Sequence, residues 1–329
     1  MMSKIPVIID TDPGHDDVFA IMLALASDKI DVKAITTVCG NSTVENTTKN
    51  ALNVLSYFGR GDIPVAMGCA DPMMHPLDRR AGIKVHGESG LEGPVFAPHD
   101  LKPVDMKAVD LIAKVLKESE EKVVLAPLGP LCNIALLFLT YPELKDKIAY
   151  ITLMGGNTLQ GNVTPAAEYN IWIDPESAYV VFESGVPIVM HSINSTEAAG
   201  VSFETIDKWK KIDTKAGKLA GELLDFYGIS KKLRGLKTVN ICDANAIAYI
   251  IDPSLYKTFD TDVTVDLVGE HTRGQTVVEF RKAANGREDL DSYYTRMLHR
   301  HFHKNCSVVI EVDAEGFAKL ITETLYKLN

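Results

Sequence analysis

No stretch of the chain is long and apolar enough to cross a bilayer as a helix. The longest uninterrupted apolar run, Val18 to Ala26, has nine residues, against the roughly 20 that a membrane span needs. Only Ile5 to Ile9 follow Lys4 before Asp10 interrupts, too short for the apolar core of a signal peptide, so a cytoplasmic protein with no membrane partner is expected. Positive charge is also short: 34 Lys plus Arg face 44 Asp plus Glu, a formal charge of −10. With no run of five or more like charges, binding to nucleic acid through phosphate neutralisation is excluded as an expectation. The five cysteines, Cys39, Cys69, Cys132, Cys242 and Cys306, are odd in number and widely spaced, which fits neither a disulfide framework nor a CxxC metal site. Cys242 apart, they read as ordinary buried thiols. Repeats, low-complexity segments and linkers rich in Pro, Gly or Ser are missing too, so residues 1–329 read as one domain.

What is present is ordinary globular composition, 46% hydrophobic and 24% charged over 329 residues. A chain of this length can bury roughly 75% of its unfolded surface without disulfides or a metal. Short β-branched runs alternate with helical patterns: Ile5 to Ile9 and then a helix from about Asp17 to Ser27, Val32 to Val38 and then about Thr43 to Phe58, Lys122 to Ala126 and then about Leu131 to Leu139. Ile148 to Met154 and Val186 to Met190 read as strands with a helix from Pro175 to Glu183 between them. Phe203 to Leu236 reads as mainly helical, and Val263 to Leu267, Val277 to Phe280 and Val308 to Val312 as late strands. Continuous apolar strands separated by helices predict an α/β fold, a mostly parallel central sheet flanked by helices. In such sheets ligands sit beyond the carboxyl ends of the strands.

The end of the first strand carries Asp10-Thr11-Asp12-Pro13-Gly14-His15-Asp16-Asp17, four carboxylates in eight residues. Crowded into a strand-to-helix turn, they repel one another, and partial desolvation raises their pKa values unless a cation sits among them. Oxygen-only ligands favour a hard ion, Ca²⁺ or Mg²⁺. Asp16 and Asp17 could simply cap the helix and favour its dipole, which leaves Asp10 and Asp12 unexplained. An EF-hand does not fit, because Gly14 is fifth from Asp10 and the twelfth position is Ile21. A haloacid-dehalogenase-type phosphatase, with its Asp-x-Asp after the first strand and its Mg²⁺, is the competing reading.

The segment from Asp10 to Asp17 resembles the D-x-D-x-x-x-D-D signature of the nucleoside hydrolases, enzymes of the inosine-uridine preferring type that use calcium to cleave the N-glycosidic bond of ribonucleosides. Further resemblances follow in family order: Cys39-Gly40-Asn41, His86 to Leu91, Leu128 to Ala135, Met154-Gly155-Gly156, Asn162-Val163-Thr164, Glu168-Tyr169-Asn170, Asp174-Pro175 and Cys242-Asp243-Ala244. The resemblance implies Ca²⁺ held by Asp12, Asp17, Asp243 and the backbone carbonyl of Leu128, with the ribose 2′- and 3′-hydroxyls completing the set. Asp12 is then the general base for water, Asp16 binds the ribose and Asp10 supports the cluster. Asn162, Glu168 and Asn170 clamp ribose hydroxyls, with Met154, Asn41 and His86 near the substrate and Asp243 facing it as well. Phe226 and Tyr227 fall in the helical segment that overhangs the base pocket in relatives, where a ring could stack on the base or simply pack in the core. The chemistry is coherent: hydrolysis of an N-riboside builds oxocarbenium character, which surrounding carboxylates stabilise, and fixing the cis-diol positions the sugar for attack. Relatives are often dimers or tetramers, so a symmetric homo-oligomer is expected.

The sequence departs from the pattern at Cys242, where the inosine-uridine preferring members carry a histidine that protonates the departing base; a Cys-containing subgroup is the better likeness. A thiol, with a reference pKa of about 8.5, is a weaker proton donor than imidazole at neutral pH, so Cys242 is either a catalytic group or a small buried hydrophobe beside the metal. That departure also keeps a catalytically weak nucleoside or ribose binder in view. His191 to Asn194 match no family segment and receive no role, and the alternating His299, His301 and His303 are not taken as a metal site.

Overall fold

Side chains alternate across the first strand, and that alternation sets the layers. Val7 and Ile9 pack into one apolar cluster while Ile8 packs into another, as the period of two requires of a strand buried on both faces. The computed structural model of the chain describes residues 3–233, 235–281 and 302–329. Within them the order begins β1 (Ile5–Thr11), α1 (His15–Ala26), β2 (Ile30–Thr37), α2 (Val44–Tyr57), β3 (Val65–Met67), α3 (Arg80–His86) and α4 (Ala108–Glu118). It continues through β4 (Val123–Pro127), α5 (Cys132–Thr140), β5 (Ile148–Met154), α6 (Tyr169–Ile173), α7 (Pro175–Phe182), β6 (Ile188–His191) and α8 (Ile193–Ala198). Then come β7 (Val201–Ser202), α9 (Phe203–Trp209), α10 (Lys215–Leu233), β8 (Thr238–Val239), α11 (Ala244–Ile251), β9 (Tyr256–Thr261), β10 (Val263–Val265), β11 (Thr276–Val278), β12 (Cys306–Val312) and a last helix, Ala314–Lys327.

Eight of the described strands form one sheet in the order β3-β2-β1-β4-β5-β6-β12-β9, and β7 pairs separately with β8. All neighbours in the eight-stranded sheet are parallel except β12 and β9. The expected α/β architecture is therefore the one observed. Of the late strands, only β12 enters this sheet; β10 and β11 pair antiparallel with one another in a separate hairpin. The edge strand β9 and the short elements β3 and α3 were not anticipated, nor was α4, although Ala108, Leu111, Ile112 and Leu116 give it a clear helical period. One layer joins α1, α10, α11 and the last helix, with Phe19, Trp209, Leu223 and Phe317 at its centre. The other joins α4, α5 and α7, with Ile112, Leu137 and Phe182. None of the described helices is long and apolar enough to cross a membrane. His299 and His301 lie outside the described residues; His303 donates its backbone N–H to Asp262 Oδ2 at 2.8 Å.

Strand order reverses at β1. The chain runs outward through β2 and β3, then returns to add β4, β5 and β6 on the other side. The crevice beyond the carboxyl ends of β1 and β4 is where such sheets bind ligands, and the acidic turn closes β1 at that point.

Candidate active site

Pairing register delivers the polar side chains to this crevice. Asp10 stands opposite Thr36 on β2 and Pro127 on β4, so its Oδ1 accepts from Thr36 Oγ1 at 2.5 Å and from Asn133 Nδ2 at 2.8 Å. Its Oδ2 is buried without a hydrogen-bond partner among the described residues, and burial pushes this carboxyl up to about 7. Asp10 thus sits behind the turn, bonded to β2 and α5. Asp12 Oδ2 accepts from the Asn41 backbone N–H at 2.7 Å, and the carboxylate lies against two main-chain segments. A Cβ on Gly40 would come within 2.1 Å of Asp12 Oδ2, and one on Gly129 within 2.3 Å of Oδ1; only glycine leaves room at both.

Asp17 fulfils the bland reading and more. Its Oδ2 accepts from the Gly14 N–H at 2.8 Å, the N3-to-N-cap half of a capping box, and from Asn41 Nδ2 at 3.3 Å. Its Oδ1 accepts from the Thr11 hydroxyl. Asp243 occupies the N-cap position of α11 but makes no capping hydrogen bond; its carboxylate turns instead to Asp16 and Asp17. Ligand atoms of Asp16, Asp17 and Asp243 lie within 4.8 Å of one another, and all three residues are buried. The tightest trio therefore contains Asp16, whereas the family resemblance places Asp12 among the ligands. Burial and the mutual repulsion of these acids hold Asp12 and Asp243 well above the usual carboxylate range. No Lys or Arg among the described residues is buried, so these residues supply no internal Lys or Arg to balance the acids. An all-oxygen, anionic, desolvated donor set suits a hard divalent cation.

A cleft of about 940 Å³ opens over this edge, lined by Asp16, Asn41, Leu128, Met154, Cys242 and Asp243 among others. Asp12 and Asp17, 1% and 0% exposed, lie behind its wall. One flank is the loop and short helix after β5. Glu168 caps α6, its carboxylate accepting from the N–H groups of Gly156 at 2.9 Å, Asn170 at 3.0 Å and Ile171 at 3.3 Å. Burial outweighs those donors and pushes it up to about 7. Asn170 Nδ2 donates to the carbonyls of Leu128 at 2.7 Å and Met154 at 3.1 Å, tying the ends of β4 and β5. Asn162 Oδ1 receives the Tyr169 N–H at 2.9 Å, and Asn162 itself reaches the cleft.

The opposite flank carries rings. His86 and Tyr227 line the cleft, whereas Phe226 does not; it stacks on His15 with centroids 5.2 Å apart. Cys242 packs with Met154 and Ile193 in a small apolar patch. Several contributors were invisible in the sequence pattern. Asn194, assigned no role, accepts at Oδ1 from the Thr158 and Leu159 N–H groups at 2.8 and 2.9 Å and so fixes the loop leading to Asn162. His15 contacts His86 and both rings of α10. The thiols also differ from expectation: Cys69 is only half-buried, and Cys132 packs with Cys39 behind the cleft, its thiol pushed up by bonds to Cys39 and Cys69.

The family model described as inosine-uridine preferring nucleoside hydrolase matches residues 7–319. The pyrimidine-specific ribonucleoside hydrolase RihA of Photobacterium profundum is 41% identical over 322 residues, 97% of this chain and 98% of that one. RihA of Escherichia coli O1:K1 is 40% identical, covering 98% of both. Among solved structures, the plant nucleoside hydrolase PpNRh1 superposes with a TM-score of 0.87 at 31% identity, covering 98% of this chain and 99% of that one. A purine-preferring ribonucleoside hydrolase from Gardnerella vaginalis also gives 0.87, at 30% identity and 98% of both chains. With an acid cluster at the sheet's switch point and likeness running nearly end to end, the chain belongs to the inosine-uridine preferring nucleoside hydrolase family and is a ribonucleoside hydrolase.

Proposed function

We propose that the enzyme cleaves pyrimidine ribonucleosides to ribose and free base with Ca²⁺ held by Asp12, Asp17, Asp243 and the Leu128 carbonyl, Asp16 being close enough to share the ion. The supporting observation is the convergence of buried carboxylates within 4.8 Å where no buried side-chain cation is available among the described residues. Bound there, the ion would grip the ribose diol and acidify water, leaving two adjacent hydroxyls as a requirement. Asp12 is the general base. Asn41 holds its Oδ2, which leaves Oδ1 to take the proton from the attacking water. Asp16, Asn162, Glu168 and Asn170 orient the sugar, and the acids around it stabilise the positive charge that develops as the bond breaks.

On the base side, His86 and Tyr227 contact the leaving group, Met154 and Asn41 shape its approach, and Phe226 backs the wall through His15. Cys242, grouped with Met154 and Ile193, is read as wall rather than proton donor, as buried thiols usually are. The pyrimidine preference follows the relatives: 41% identity to a pyrimidine-specific enzyme against 30% to a purine-preferring one. One catalytic domain, a symmetric homo-oligomer and a cytoplasmic location complete the reading, the last suited by five free thiols. A ribose-release assay on uridine, cytidine, inosine and 2′-deoxyuridine, with and without chelator, tests it. Release from the pyrimidine ribosides that stops on chelation and returns with Ca²⁺ is expected. Equal release from deoxyuridine, or indifference to chelator, overturns the diol-and-metal reading.

A further inference from the structure

His15 is fully buried at the first position of α1, directly before Asp16 and Asp17. Its polar atoms serve neither the acids nor the sheet. The backbone N–H donates to His86 Nδ1 at 3.2 Å, the ring Nδ1 lies 3.0 Å from that same atom, and Nε2–H donates to the Glu92 carbonyl at 2.8 Å. The ring is also stacked on Phe226, Tyr227 and His86, with centroids 5.2, 5.4 and 5.2 Å away and planes 6°, 12° and 27° apart. A single side chain therefore touches the end of α3, the loop after it and α10, the three pieces of the flank assigned above to the base. Gly14 makes the approach feasible, since a Cβ there would lie 2.5 Å from His86 Nδ1.

A buried imidazole is costly unless both nitrogens find partners. Here Nε2–H is met by the Glu92 carbonyl, and Nδ1 faces His86 Nδ1, which bonds it only when that nitrogen carries the proton and then no longer accepts the His15 backbone N–H; the next two residues along the chain carry the acids. We propose that His15 is a positioning residue that sets the base-side flank at a fixed distance from the acid turn, so that a nucleoside spanning both places its N-glycosidic bond beside the carboxylates. The inference rests on the division into sugar and base sides made above. It follows from elementary geometry: the sugar is held on one side and the base on the other, and displacement by about 1 Å can cost about a hundredfold in rate.

The test compares native enzyme with His15→Phe, which keeps a ring for stacking but loses both ring hydrogen bonds, and with His15→Ala, which loses all of these. Uridine kcat and KM, the inhibition constant of free ribose, and hydrogen exchange of backbone amides are measured on each. The expected result is a KM for uridine raised about tenfold and kcat lowered about tenfold in His15→Ala, with a smaller change in His15→Phe. The ribose constant stays within about twofold, and exchange accelerates in residues 86–92 but not in 10–13. Uridine kinetics within about twofold of native, or a ribose constant that weakens in step with KM, overturns the proposal. If His15→Ala does not fold, His15→Gln, which retains a donor for the Glu92 carbonyl, carries the same comparison. Failure of the functional reading is separately visible as a native enzyme that releases no ribose from any ribonucleoside, in which case unchanged exchange at 86–92 overturns the positioning role and accelerated exchange there sustains it.

Discussion

The acid side and the base side of the cleft are built by different means. Asp10, Asp12 and Asp17 are gripped by hydroxyls, an asparagine amide and main-chain N–H groups from β1, β2 and the segments that follow β2 and β4. The base flank is held by stacked rings, a turn and the long helix α10, with Phe226 39% exposed. Short polar contacts to a buried backbone permit few alternatives, because each lost partner leaves a desolvated group behind. Of the rings, only the exposed Phe226 can be exchanged readily for another of similar shape; His15, His86 and Tyr227 are buried. On the proposed reading, the chemistry is fixed in the sheet and the base is met by the ring-lined flank that His15 ties to it.

The sharpest way to break this contrast is Asp12→Asn, expected to lower turnover by about three orders of magnitude while uridine still binds; turnover within about tenfold of native removes Asp12 as base and with it the division of labour. A second test concerns charge. Burial raises the carboxyls of Asp10, from 3.8 to about 7, and Glu168, from 4.5 to about 7. The folded state therefore holds these protons more tightly than the unfolded chain does. The stability they contribute is full below about pH 4 and is lost as pH rises through about 7, on the order of a few kcal/mol for each carboxyl in chelated protein. Denaturant titrations at stepped pH should show that decline, with added Ca²⁺ flattening it; a stability that instead climbs over the same interval contradicts the assignment. The smallest effect belongs to the flank: Tyr227→Ala should raise the KM for uridine about tenfold with the ribose inhibition constant unmoved. A parallel weakening of ribose would show that the two sides are not independent.

What could be read from sequence was what is close in sequence. The run from Asp10 to Asp17 shows a strand end, a tight turn and an unusual density of acid, and the helix after Asp243 shows its own boundary at Asp252-Pro253. The parallel sheet followed from period and spacing. Contacts between distant positions carried no such trace. Asn133, 123 residues from Asp10, resembles any helix-start asparagine until the fold brings it beneath the cluster. His15 looks like a turn residue and proves to be the meeting point of three elements. Both Phe226 and Tyr227 stack on His15, but successive helical residues point about 100° apart, so only Tyr227 also reaches the cleft. Asp16 joined the buried acid trio for a related reason: the helix starts at His15 rather than at Asp17, turning its first-turn side chains toward α11.

Glu168 carries a consequence for anyone who wishes to redesign this enzyme. Its carboxylate is the hook from which α6 hangs, and α6 holds the amide that links two strand ends. Exchanging it to admit a different sugar would loosen the scaffold before it altered the fit, so engineering of pentose selectivity is better begun at Asn162, whose neighbours form a loop rather than a cornerstone.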